Sequence, residues 1–140
     1  MNRMTFETAS VPPPVLMTAV EHARLSALAD ALDDSSAGAS LLERELARAT
    51  IVPPAELPPD VVTMGATVEY IDVETARPRT VTLVYPWRAD IAQGLVSVTA
   101  PVGGALIGLR VGDRMELTTP AATTRQLRIE RLISRPAPAP

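Results

Sequence analysis

Apolar positions recur with two different periods along this 140-residue chain, and the change of period divides it. Leu25, Leu28 and Leu32 fall at i, i+3 and i+7, one stripe of an amphipathic helix. Thr18-Ala-Val-Glu21 precedes them in the capping-box form: the Thr hydroxyl accepts from an orphan amide while the Glu reaches back. A helix to about Leu32 is predicted. Asp33-Asp-Ser-Ser-Ala-Gly38 is turn chemistry. A second helix to about Ala49 follows, opened at Ser40-Leu-Leu-Glu43 or earlier at Ser36, with Leu42, Leu46 and Ala49 on its apolar side and Leu41 beside them. Two stripes joined by a short polar turn predict an antiparallel helical hairpin over residues 15–50, led in by the apolar Val15-Leu16-Met17, a short strand or staple.

Residues 51–60 hold four prolines and predict a stiff linker and domain boundary. Beyond it the period becomes strand-like. Ala66–Ile71 places Val68 and Tyr70 on one face, and Arg79–Tyr85 places Val81, Leu83 and Tyr85 on one side with Thr82 and Val84 on the other. Leu95–Val98 reads as a buried strand, Met115–Thr118 as a short one, and Arg125–Ile133 as the last, with Leu127 and Ile129 inward. Its alternation slips at Arg131-Leu132, predicting a bulge or a strand end there. Between strands lie a hairpin loop at 72–78, a loop at 87–93 and a short helix from Pro101 to Leu109, started by the proline. The pattern is that of an α+β chain: an antiparallel sheet wrapped on one short helix over 61–134. An extended lead-in, 1–14, precedes the hairpin, and a Pro/Ala tail, 135–140, is expected to be disordered.

Composition removes several chemistries. There is no cysteine, hence no disulfide, thiolate zinc site or cysteine nucleophile. All thirteen basic residues are arginine, so a Walker A loop and a Schiff-base lysine are excluded. His22 is the single histidine, and the four aromatics are Phe6, Tyr70, Tyr85 and Trp87. No apolar run approaches the ~20 residues of a membrane span, and the N-terminus lacks an export pattern, so a cytoplasmic protein is expected. Net charge is −3, split unevenly: residues 1–60 carry nine acids against four arginines, and residues 61–140 seven against nine. Such a balance is not the footprint of a sequence-specific nucleic-acid binder.

Candidate chemistry is sparse. Asp30, Asp33 and Asp34 cluster at the hairpin tip; they read as a solvated turn, the alternative being a carboxylate set that holds Mg²⁺. Gly103-Gly-Ala-Leu-Ile-Gly108 lacks dinucleotide-loop spacing and reads as close helix–sheet packing. His22 reads as an exposed helix residue. Arg125, Arg128, Arg131 and Arg135 line the last strand without forming one dense stripe. No acid–base–nucleophile set emerges, so no catalytic residue, metal or cofactor is expected, and the residues describe a binding module.

Asp60-Val-Val-Thr-Met64, Thr82-Leu-Val-Tyr-Pro86 and above all Ser97-Val-Thr-Ala-Pro-Val-Gly-Gly-Ala-Leu-Ile-Gly-Leu-Arg-Val-Gly-Asp113 carry a resemblance. From about Pro13 to Ile133 the chain resembles the Rnk branch, regulators of nucleoside diphosphate kinase, of the GreA/GreB transcription elongation factors. The resemblance implies an N-terminal coiled-coil hairpin and an FKBP-like C-terminal domain. It also implies binding to RNA polymerase at the entrance of its secondary channel, with the Pro-x-Gly turn, here Pro101, Val102, Gly103 and Gly104, against the rim. In the family's cleavage factors, acids at the coiled-coil tip help hold Mg²⁺ for transcript hydrolysis. Here helices of 10–14 residues reach only ~15–21 Å, about half the family's rod, and the tip has Asp33-Asp34 in place of Asp-x-x-Glu. Ala100 stands where the cleavage factors usually have serine. The expectation is a non-enzymatic, monomeric transcription regulator that competes with Gre-type factors. The alternatives are a cleavage factor using Asp33 and Asp34, or a peptidyl-prolyl isomerase suggested by the FKBP-like fold.

Overall fold

The computed structural model describes residues 12–32, 37–118 and 123–137. Two helices form the N-terminal part, α1 (Ala19–Asp30) and α2 (Ala37–Ala47), entered by β1 (Leu16–Met17) and left by β2 (Thr50–Ile51). Thr18 caps α1, its hydroxyl accepting from the Glu21 amide at 3.3 Å. The reciprocal half of the capping box is not made: Glu21 Oε2 accepts instead from the Met64 amide, 3.1 Å away and on another element. Leu25 and Ala29 of α1 and Leu42 and Leu46 of α2 are buried, whereas Leu28 and Leu32 are half-buried. His22, expected to be exposed, is half-buried and lies 3.1 Å from the Leu46 carbonyl, so it bridges the two helices. The strands β1 and β2 pair in parallel.

The main sheet has five strands: β3 (Thr67–Asp72), β4 (Pro78–Val84), β5 (Leu95–Ser97), β6 (Arg114–Thr118) and β7 (Thr124–Ser134), in the order β5-β4-β3-β7-β6. Three of its four pairings are antiparallel, but β4 and β5 are parallel. The sheet is therefore mixed, where alternation alone predicted an antiparallel one. Parallel neighbours need a crossover to return the chain to the same end. Here Pro86 ends β4, and 3₁₀ turns at Pro86–Arg88 and Ile91–Gln93, closed by Gly94 at φ 75°, bring Leu95 opposite Thr82. The segment read as a plain loop is that crossover, and β5 is half-buried rather than buried. In β7 the register with β3 shifts on both sides of the Leu132–Arg131 pairs, so the predicted irregularity is a pair of bulges.

Helix α3 (Pro101–Leu106) runs from the end of β5 and stops three residues before the predicted Leu109. It lies against α2, β5 and β6. Gly103 permits that approach: a Cβ there would collide with the Ser97 carbonyl oxygen and stand 2.9 Å from the Val98 Cα. A single apolar cluster joins Val15, Met17, Leu25, Leu42 and Leu46 to Val68, Leu83, Leu106, Leu109 and Ile129, so the hairpin is packed on the sheet. In the proline-rich segment Leu57 is buried. Arg135 is not part of a free tail, because its guanidinium donates to the Pro58 and Val61 carbonyls at 2.8 and 3.1 Å.

Candidate functional site

Because β4 and β5 are parallel, both leave the sheet at the same end, where Val84 stands beside Ser97 and the Val98 amide donates to the Val84 carbonyl. Two exposed turns follow from that juxtaposition.

The first joins β5 to α3. Ser97 Oγ and Thr99 Oγ1 are 2.7 Å apart, Ser97 Oγ accepts from the Thr99 amide at 3.0 Å, and the Ala100 amide donates to the Ser97 carbonyl. Serine and threonine hydroxyls turn the chain in this way by replacing backbone partners. Ala100 occupies the N-cap of α3 and offers no side-chain acceptor. Pro101, at the first helical position, has no amide that needs one. Pro101 and Val102 are half-exposed, while Gly103 and Gly104 are buried, the second facing Leu41. Of the four residues singled out in this turn, two present surface and two are packing positions.

The second turn is Pro86–Arg88. Tyr85 and Trp87 stack with ring centroids 5.0 Å apart and planes 4° apart. Trp87 is 73% and Ile91 85% exposed. A tryptophan directly after the strand-ending proline, in a chain with four aromatics, was the signal available in the sequence.

The remaining sequence-derived candidates are dispersed. Asp30 is exposed at the end of α1, and Asp33 and Asp34 lie outside the described residues. Among the described residues no group of three His, Asp or Glu side chains could hold a metal ion. The arginines of β7 are neutralised locally: Arg125 pairs with Asp72 at 2.9 Å, Arg128 with Glu130 at 2.6 Å and Arg131 with Glu69 at 3.3 Å.

A cavity of about 500 Å³ opens beside the first turns of α1, between the 63–65 turn and the end of β4. Its one acid is Glu21, which sequence reasoning placed in a capping box. Burial pushes the Glu21 carboxyl above the ordinary glutamate range, against the Met64 amide, Arg135 and Arg24, which pull it down. Its Oε1 is buried with no hydrogen-bond partner. Burial also raises the Tyr85 phenol, and nearby Glu21 adds to the shift.

Comparison with known proteins matches both parts of the chain. Residues 57–133 match the family model "Transcription elongation factor, GreA/GreB, C-term", and residues 13–52 match "Rnk N-terminus". The chain is 40% identical over 101 residues to the "Regulator of nucleoside diphosphate kinase" of Escherichia coli K12, spanning 72% of this chain and 74% of that protein. It is 40% identical over 82 residues to "Transcription elongation factor GreA" of Thermodesulfovibrio yellowstonii, 59% of this chain but 52% of the relative. Among solved structures, a "Prokaryotic transcription elongation factor GreA/GreB" from Nitrosomonas europaea superposes with a TM-score of 0.69 at 38% identity, covering 87% of this chain and 99% of that one.

Proposed function

The chain belongs to the GreA/GreB family of transcription elongation factors, with an Rnk-type N-terminus, and on that premise we propose that it is a non-enzymatic regulator that docks on RNA polymerase at the secondary-channel entrance. Pro101 and Val102, held outward by the Ser97–Thr99 hydroxyl turn, are the contact residues. Gly103 and Gly104 act behind them by letting α3 approach β5 and α2. Contact at a docking surface needs exposed, rigid anchors. A six-residue helix started by proline supplies rigidity at the place where surface is available.

The observation that carries the non-cleaving part of the reading is the length of the hairpin. Helices of 12 and 11 residues span ~18 and ~17 Å, against ~45 Å for helices of about 30 residues. A carboxylate must come within ~2.1 Å of Mg²⁺ to ligate it, so a tip that stops tens of ångströms short is not rescued by its charge. The protein occupies the channel mouth and excludes longer factors.

The test uses backtracked elongation complexes of the cognate polymerase, with this protein alone and then together with a Gre cleavage factor. We expect no shortening of the transcript by the protein alone and dose-dependent inhibition of the cleavage factor. Pro101→Glu should abolish that inhibition while leaving the thermal melt unchanged. Shortening by the protein alone that disappears in Asp33→Ala or Asp34→Ala would replace this reading with a cleavage factor. Inhibition indifferent to Pro101→Glu would remove the turn from the interface.

A further inference from the structure

The cavity beside α1 is lined by apolar side chains together with two arginines. Leu57, Met64, Leu83, Leu95 and Tyr85 are among its apolar and aromatic lining. Arg24 of α1 and Arg88 of the β4–β5 crossover also line it, and both residues are exposed.

These two guanidinium groups differ from those of six other arginines, while Arg44, Arg77, Arg79 and Arg114 share with them the lack of an ion pair among the described residues. Arg48, Arg110, Arg125, Arg128 and Arg131 pair with carboxylates, and Arg135 donates to two backbone carbonyls. The guanidinium groups of Arg24 and Arg88 donate no hydrogen bond and form no ion pair among the described residues. The acid of the same cavity, Glu21, acts on Arg24 through space but forms no ion pair with either: one of its oxygens is held by the Met64 amide, and the other is buried without a hydrogen-bond partner. Two cations without a direct ion pair therefore line one largely apolar hollow, whose size is within the ~300–1,000 Å³ typical of small-molecule sites. A guanidinium presents a planar fork of donors suited to a carboxylate or a phosphate, and the hollow behind it suits a hydrocarbon or aromatic body.

We propose that this cavity is a binding site for a small amphipathic anion, a carboxylate or phosphate carried on an aromatic or aliphatic body. The head group sits between Arg24 and Arg88 and the body lies on Leu57, Met64, Leu83 and Leu95. The site lies on the hairpin side of the sheet end that also carries the Trp87 turn, and it does not depend on polymerase docking.

The chain carries its own reporter, because Trp87 is its single tryptophan and stacks on Tyr85, which lines the cavity. The full chain is titrated with 8-anilinonaphthalene-1-sulfonate, an aromatic anion, and energy transfer from Trp87 is read. Saturable binding at one site is expected, with at least tenfold weaker binding of uncharged N-phenylnaphthylamine. Arg24→Glu and Arg88→Glu should each weaken the sulfonate at least tenfold, whereas Arg114→Glu, an exposed arginine on β6, should leave it unchanged. Circular dichroism checks that each variant is folded, and Arg24→Gln with Arg88→Gln repeats the measurement without charge reversal. Displacement by decanoate against decyl phosphate then tells which head group is preferred. Absence of saturable binding, or equal binding of the charged and uncharged probes in all variants, overturns the proposal.

Discussion

Replacing Gly103 by alanine adds one methyl group where a described glycine meets neighbouring backbone most closely, and the neighbouring glycine provides a control within the same helix. A Cβ at Gly103 would overlap the Ser97 carbonyl oxygen and stand 2.9 Å from both the Ser97 carbonyl carbon and the Val98 Cα. All three obstacles are backbone of β5 and its exit, so no rotamer change relieves them. At Gly104 the nearest atoms are the Leu41 Cδ2 and Cγ at 3.3 Å, a flexible side chain that can yield by a few tenths of an ångström. Both substitutions gain the same helix propensity, about 1 kcal/mol. Forcing a methyl group into a packed interior costs about 1–3 kcal/mol, and an obstacle made of backbone places Gly103→Ala at the upper end. The expected net effects are about 2 kcal/mol of destabilisation for Gly103→Ala and near zero for Gly104→Ala. In a chain of this size that difference separates the two melting temperatures by about 6–10 °C. Urea denaturation at fixed pH, followed by circular dichroism, measures the difference directly. Equal stability of the two variants would refute the view that Gly103 is where α3 meets β5 backbone to backbone. The displaced α3 would also carry Pro101 with it, so under the docking mode proposed above, polymerase binding is expected to fall in Gly103→Ala and to survive in Gly104→Ala.

Thr18→Ala removes the acceptor for the Glu21 amide at the start of α1 and should cost about 1 kcal/mol, read as a lower urea midpoint with an unchanged slope. Glu21 holds its proton more tightly folded than unfolded, because burial raises it. Its contribution is therefore fully present below the unfolded value, about 4.3, and is lost as pH rises through the folded one. The stability of Glu21→Gln relative to the parent should accordingly shift in the variant's favour from pH 4 towards neutrality; a pH-independent gap would contradict the assignment. Arg135→Ala removes two donors from the Pro58 and Val61 carbonyls and should destabilise by about 1–3 kcal/mol.

Much of the secondary structure was legible because its causes are local. The helical stripe at Leu25, the Thr18 cap, the Pro101 helix start and the irregularity in β7 each depend on residues a few positions apart, and each is present in the structure. The long run from Ser97 to Asp113 also carried the resemblance to the family that the comparisons show. What remained hidden depends on which elements become neighbours. A strand's alternation is the same whether its partner runs parallel or antiparallel, so the β4–β5 pairing needed the fold. Glu21 finds its amide 43 residues away at Met64, a partner that spacing cannot reveal. The Pro/Ala stretch after Ser134 reads as a disordered tail, whereas Arg135 at its start donates to the Pro58 and Val61 carbonyls. Within the Pro-x-Gly turn, sequence marked four residues alike, and only burial separated Pro101 and Val102 from Gly103 and Gly104. Local pattern determined what each segment is, whereas packing determined which side chains remain free to meet a partner or a ligand, because exposure is a property of all the surrounding elements together.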